Sequence, residues 1–300
     1  MNLTKEFKDQ VAEALITNRA TYSGSDKAFS KRWQIAPAIY SRIKNGERDG
    51  VLRDTQWLTI GRELGVVIHK QNLKFAPTEV FAHIQEEVEF CQAYSKSMMF
   101  IDEPEIGKTR TLKYLSQSRK NCFYIDGSQC KTKQLFARTL ARTIGLDSSG
   151  RFSEVKESIK YCLNTLMPPP IVMVDEFADL DVNTLLDLKE LWNGTENACG
   201  WYLVAAEGGR ERMLKGIQGK KVGFRELFSR FSSKFSSVVP TDLVRKQGFY
   251  QNLVSDVLTL NHPDHPEANL IVKKCLVQDV DNKIGGLRRL EQLLILHANG

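Results

Sequence analysis

The sequence predicts an α/β protein built on a parallel sheet, with helical regions before and after it. Three observations lead there. Four short apolar runs, SMMFID, NCFYIDG, IVMVDE and GWYLVAAE, lie between residues 97 and 207. Each is apolar along its length rather than alternating, as in strands buried on both faces of a parallel sheet. Stretches of helical periodicity separate the runs, as βαβ crossovers require.

Three units follow in order. Residues 1–72 read as short helices. Asp26 is expected to cap a helix KAFSKRW, and PAIYSRIKNG forms a second, with Pro37 in its first turn and Asn45-Gly46 as its stop. Phe29, Ile35, Ile39 and Ile43 are spaced to pack the two across a tight turn, which is helix-turn-helix spacing. A later helix, TQWLTIGRELGV, would pack beneath them. In that geometry the second helix enters the DNA major groove. Ala38, Ser41, Arg42 and Lys44 would then meet DNA, with Lys31 and Arg32 near phosphate. Residues 71–77 read as a linker. Thr78 opens a long amphipathic helix, and the sheet-bearing core occupies residues 73–240. Residues 241–300 read as helices that form a lid.

Composition narrows the function classes. The chain has 300 residues, 42% hydrophobic and 26% charged, as in globular proteins. Its first ten residues are polar and mixed in charge, so no signal peptide is expected, and the apolar runs are too short to span a bilayer. The expectation is a cytoplasmic protein with no membrane partner. Six cysteines show no C-x-x-C spacing, which points away from a zinc or redox pair and toward reduced thiols. The net charge is +6, and residues 1–75 carry 13 Lys and Arg against 8 Asp and Glu. A basic first quarter suits an acidic partner such as nucleic acid.

The chemistry lies in two segments. DEPEIGKT, following the first run, ends as a phosphate-binding loop does, with Gly107, Lys108 and Thr109 opening a helix. Residues 104–110 (Pro104, Glu105, Ile106, Gly107, Lys108, Thr109 and Arg110) would surround the phosphates, with backbone N–H groups at the helix start holding the phosphate oxygens. Lys108 would reach the β- and γ-phosphates and Thr109 would bind Mg²⁺. The loop departs from the G-x-x-x-x-G-K-[ST] pattern: Asp102 takes the first glycine position and Glu105 is a second acid. A carboxylate about 5 Å from a phosphate charge costs on the order of 3 kcal/mol at an effective dielectric of 20. Nucleotide binding therefore requires both carboxylates to point away or to be paired with cations.

The second segment, IVMVDEFADL, is an apolar run ending in Asp175-Glu176, the Walker B arrangement. Asp175 would hold Mg²⁺ and Glu176 would act as general base toward water. Farther on, RELFSRFSS places Arg230 where an arginine finger would reach a neighbouring subunit's nucleotide. GGLRRLEQLL offers Arg288 as a second sensor, with Arg289 as the competing choice. The fourth run ends in Ala205, Ala206 and Glu207, without the usual polar sensor.

Together DEPEIGKTRT, IVMVDEFADL, GWYLVAAEGGRERM, LFSRFSS and GGLRRLEQLLILHA resemble the AAA+ transposition helper ATPases, the Mu B-like, IstB-like and TnsC-like target-selection proteins. The resemblance covers almost the whole chain. It implies an AAA+ P-loop NTPase core with an N-terminal helix-turn-helix domain and a C-terminal helical lid. It further implies ATP and Mg²⁺ as cofactors and self-assembly as rings or filaments on duplex DNA. The partner would be a transposase recruited to target DNA, and slow ATP hydrolysis would dismantle the assembly. Basic loops of the core carry DNA in such proteins, which nominates Lys131, Lys133, Lys220 and Lys221. Two other readings stay open: a helicase-loader-type ATPase, and a transcription regulator with a degenerate nucleotide site.

Overall fold

The computed structural model describes residues 3–66, 74–278 and 284–298. The expected boundary near residue 72 lies outside the described residues. Four helices come first: α1 (Lys5–Arg19), α2 (Asp26–Arg32), α3 (Pro37–Lys44) and α4 (Asp54–Glu63). Then follow α5 (Glu79–Tyr94), β1 (Ser97–Ile101), α6 (Lys108–Ser118), β2 (Cys122–Asp126), α7 (Lys133–Ile144), α8 (Phe152–Thr165) and β3 (Ile171–Asp175). The core is completed by α9 (Val182–Gly194), β4 (Gly200–Ala205), α10 (Glu207–Gln218), α11 (Phe224–Arg230) and β5 (Phe235–Ser236). Residues 241–300, expected to form a lid, contain α12 (Leu243–Asn261), α13 (Ala268–Cys275) and α14 (Leu287–Ala298) among the described residues.

Local chemistry sets many of these bounds. Thr78 caps α5 by accepting the Phe81 N–H, and α7 stops at Gly145, whose φ is +95°. Pro37 opens α3 as expected, but the cap of α2 is Ser25, one residue before Asp26. A serine hydroxyl at that position accepts the Ala28 N–H, leaving Asp26 in the first turn where its charge favours the helix dipole.

Among the described residues five strands form one parallel sheet in the order β2-β3-β4-β1-β5. Four were legible as apolar runs. The fifth, Phe235–Ser236, is two residues long and half-buried, too short to leave a pattern. Alternate residues of the strands feed two cores. Met99, Ile101, Phe123, Ile125, Val172, Val174, Trp201 and Leu203 face one side, with α7, α8 and α9. Phe100, Cys122, Met173, Tyr202 and Val204 face the other, with α5, α6 and α12. A third cluster joins the lid helices to Ala76. In this order β1 and β3 flank β4, so the loops leaving both strands open at one edge of the sheet, where α/β folds place their ligands.

The N-terminal helices pack onto the core rather than standing apart from it. Their buried residues belong to the same hydrophobic cluster as one face of the sheet. The Tyr22 hydroxyl donates to the carbonyl of Ile144, and Ser23 Oγ donates to Asn121 Oδ1 at 2.5 Å. All six cysteines are unpaired, and burial pushes Cys91, Cys122 and Cys130 up to about 12, as expected of inert core thiols. Among the described residues no helix is long and apolar enough to cross a membrane.

Candidate nucleotide site

β1 delivers the chain into the loop 102–107, and α6 leaves it with its first-turn amides facing the cleft. Gly107 caps α6 with a φ of +98°, which a side chain would strain. Lys108 is buried, and its ammonium folds back to the backbone oxygens of Asp102, at 3.0 Å, and Glu103. Burial lowers its pKa, opposed by the carboxylates of Asp102, Glu176, Asp175 and Glu103. It is a cation held on weak neutral acceptors, which phosphate oxygens would outcompete.

Each acid of the loop has a protein partner. Asp102 is buried, and its Oδ2 accepts the backbone N–H groups of Val238 at 2.6 Å and Val239 at 3.0 Å. Its Oδ1 accepts the Glu103 N–H at 2.8 Å. The carboxylate thus secures the chain just beyond β5. Glu103 pairs with Lys246 and accepts the Tyr250 hydroxyl at 2.7 Å, both on α12. Glu105, left-handed at φ +63°, faces Arg288 Nη1 of α14 at 3.4 Å. The requirement set by the sequence, acids turned away or paired, is met at both Asp102 and Glu105.

Across the cleft, β3 ends in Asp175, which is almost fully buried. Its carboxylate accepts the Thr109 hydroxyl, the Glu176 N–H at 3.1 Å and the Tyr124 hydroxyl at 3.3 Å. Burial raises its pKa. Glu176 sits at φ +47°, and its pKa is raised by burial and then by the charge of Asp175. Gly127 lets the chain after β2 approach this corner: a Cβ there would lie 2.9 Å from the Asp175 carbonyl oxygen and 2.8 Å from that of Glu176. Thr109 and Asp175 supply hard oxygens side by side, which suits Mg²⁺. Among the described residues no group of three metal-binding side chains occurs. That fits an ion drawing most of its ligands from phosphate and water.

The cleft has a volume of about 270 Å³ and is lined by Pro104, Glu105, Gly107, Lys108, Thr109, Arg110, Glu176 and Ala206, among others. Its far end is formed by Lys74, Phe75, Ala76 and Val257, and α14 closes it with Leu287, Arg288 and Glu291. The linker reading of residues 71–77 misses this role. Residues 71–73 lie outside the described residues, but Phe75 stacks on Tyr114 at 4.1 Å, and Asn261 of α12 holds the backbone of Lys74. An aromatic within a polar stretch was the available signal. Arg110 lies in the cleft too, its pKa lowered by burial against the raising effect of Glu291.

The remaining nominations fall in several places. Ile106 is fully buried in the core beside the loop. Between the two sensor candidates, Arg288 lines the cleft, whereas Arg289 donates to the carbonyl of Val277. Ala206 lines the cleft at the end of β4, so the usual polar sensor position is apolar, and Glu207 opens α10 beyond it. Arg230 is not among the cleft residues; it donates to Asn193 Oδ1 at 2.7 Å and lies over the Trp192 ring.

Of the DNA nominations, Lys220 and Lys221 are exposed between α10 and α11. Lys131 is exposed, 3.7 Å from Asp179, and Lys133 lies over Phe152. Lys31, Ala38 and Ser41 are exposed, while Arg42 pairs with Glu47 at 2.7 Å and Lys44 with Asp26 at 2.6 Å. Arg32 differs most from expectation. Its guanidinium lies over the Phe123 ring of β2, in the seam between the N-terminal helices and the sheet, and burial lowers its pKa.

Comparison with known proteins agrees with this architecture. Residues 91–214 match the AAA domain family. No curated protein matches the sequence. Among solved structures, the chain is similar in fold to Cdc6p from Pyrobaculum aerophilum, with a TM-score of 0.54 and 12% identity. The similarity covers 76% of this chain and 63% of that one, so this chain spans less than two thirds of that protein's length. The strand order and the meeting of the two motifs at one cleft agree with that match, so residues 91–214 resemble an AAA domain in sequence and the chain resembles Cdc6p in fold.

Proposed function

We propose that this chain is an ATPase that binds duplex DNA in its ATP state, assembles on it with little sequence preference, and brings target DNA to a transposase. One observation carries the nucleotide part: Lys108, Thr109 and Glu176 line one cleft with Asp175 beside Thr109, while Asp102 is bound away from it and Glu105 is paired with Arg288 at its rim. Thr109 and Asp175 would hold Mg²⁺ on the β- and γ-phosphates. Glu176, with a pKa raised by burial, would draw a proton from the attacking water. Arg230, held outside its own cleft by Asn193, would serve a neighbouring subunit's site.

The DNA part rests on the exposed lysines at 131, 133, 220 and 221, with α2 and α3 read as a helix-turn-helix that presents Lys31 and Ser41. Such phosphate contacts give affinity with little sequence information and a steep dependence on salt. The transposase assignment rests on the sequence resemblance alone. A second reading has one observation in its favour. Arg42 and Lys44 are already neutralised within the domain, which suits N-terminal helices that grip a protein, as in a helicase-loader-type ATPase.

The deciding experiment is binding to a random-sequence duplex with ATP, ADP or no nucleotide, followed by anisotropy and electron microscopy. ATP-dependent binding with ordered oligomers is expected. Binding that ignores nucleotide and forms no assemblies would move the protein to the regulator class.

A further inference from the structure

The acids of the phosphate loop share one feature: each is bound to the last third of the chain. Asp102 holds the backbone beyond β5, Glu103 holds α12, and Glu105 holds α14. At Glu105 the link is double. Its carboxylate faces Arg288 at 3.4 Å, and its carbonyl oxygen accepts the Leu287 N–H at 2.9 Å. Gly286 makes the approach possible, since a Cβ there would lie 2.5 Å from the Glu105 oxygen. Glu105 also adopts a left-handed φ of +63°, uncommon for a residue without side-chain help for that conformation. Glu105, Leu287 and Arg288 all line the nucleotide cleft itself.

Resting on the nucleotide-site reading above, we propose that Glu105 is a positioning residue for Arg288. It holds the arginine at the rim of the cleft and yields it only to a ligand carrying a γ-phosphate. The physical basis is competition for one guanidinium. A half-buried carboxylate 3.4 Å from a guanidinium that is 73% exposed is a weak partner. A triphosphate held by Lys108 and Mg²⁺ offers a denser charge and bidentate geometry. A diphosphate places no oxygens at the γ position, so Arg288 stays on Glu105. Because Arg288 belongs to α14, its transfer would report the presence of the third phosphate to the lid.

The test is a double-mutant cycle on the full chain. ATP and ADP affinities are measured for the unaltered protein, Glu105→Gln, Arg288→Ala and the pair. Glu105→Gln removes repulsion in either background, but releases a competed arginine only where Arg288 is present. The expected result is that Glu105→Gln tightens ATP binding by roughly two- to fivefold more with Arg288 than without it, the range an exposed ion pair supports. With ADP the two backgrounds respond alike. An ATP effect that is equal in both backgrounds overturns the positioning role while leaving the nucleotide site intact. Failure of the unaltered protein to bind ATP, with Lys108→Ala indistinguishable from it, overturns the site reading and the proposal together.

Discussion

Two groups of acids lie at the phosphate loop and at the end of β3, and their surroundings are opposite. On the loop side, Asp102, Glu103 and Glu105 are occupied by backbone N–H groups, Lys246 with Tyr250, and Arg288. On the strand side, Asp175 is buried with only neutral donors, and both it and Glu176 have raised pKa values because burial disfavours their charge. Negative charge therefore has two uses in one site. The first group is neutralised by the protein and ties the loop to the lid. The second is left wanting a cation, which is the condition a metal site needs before metal arrives.

The sharpest way to break this contrast is at Glu176. If it is the base, Glu176→Gln keeps ATP binding and lowers hydrolysis by roughly 10²–10⁴-fold, the usual share of a positioned general base. ATP-bound assemblies should then persist on DNA. Single-turnover hydrolysis measures this, and an unchanged rate removes Glu176 from the chemistry. Next in size is Lys108→Ala. Loss of the one buried loop cation should weaken ATP binding about a hundredfold, as expected when an ion pair of about 3 kcal/mol is removed. Titration calorimetry reads it directly, and normal affinity would mean that phosphate binds elsewhere.

How far the sequence revealed this site depends on which kind of signal each residue left. Lys108, Thr109, Asp175 and Glu176 were legible because their chemistry demands fixed types at fixed places beside apolar strands. The fate of Asp102 and Glu105 was not. Their acceptability depends on Val238, Val239 and Arg288, more than 130 residues away in sequence, and no local pattern announces such a partner. Arg32 shows the reverse failure. A basic residue on an N-terminal helix reads as a phosphate contact until packing puts it over Phe123. Phe75 and Ala76 were read as linker because their partners, Tyr114 and the lid helices, come from elsewhere in the chain. The sheet was read strand by strand except for β5, which two residues could not signal.

Asp102 offers a test in which binding and stability part company. If its carboxylate serves the backbone beyond β5, Asp102→Ala strands three N–H groups, at Glu103, Val238 and Val239. Each unsatisfied donor costs about 1–3 kcal/mol when buried. Thermal unfolding should therefore show a loss of several degrees, with ATP affinity changed little in the folded protein. A large gain in affinity with no loss of stability would mean that the carboxylate faces the phosphates after all.

The smallest expected effect has the opposite sign. Asp175 has a folded pKa above its ordinary value, because burial penalises the carboxylate. A group with that shift binds its proton more tightly in the folded state. Between its unfolded and folded pKa values, the native protein therefore holds more protons than the unfolded chain, and stability falls as pH rises through that window. Above the folded pKa the full penalty is present. Asp175→Asn removes the charge while keeping an oxygen for Tyr124 and Thr109. It should stabilise the metal-free protein by about 0.5–2 kcal/mol, the usual gain from relaxing a functional site. At roughly 2–4 °C per kcal/mol, that is a small but measurable rise in Tm. The gain should fade as pH is lowered into the range where Asp175 takes up its proton. Mg²⁺ should raise the Tm of the unaltered protein with ATP and leave the variant unmoved. A variant that is less stable at neutral pH would show that Asp175, like the acids opposite it, is held by the fold rather than kept for a metal.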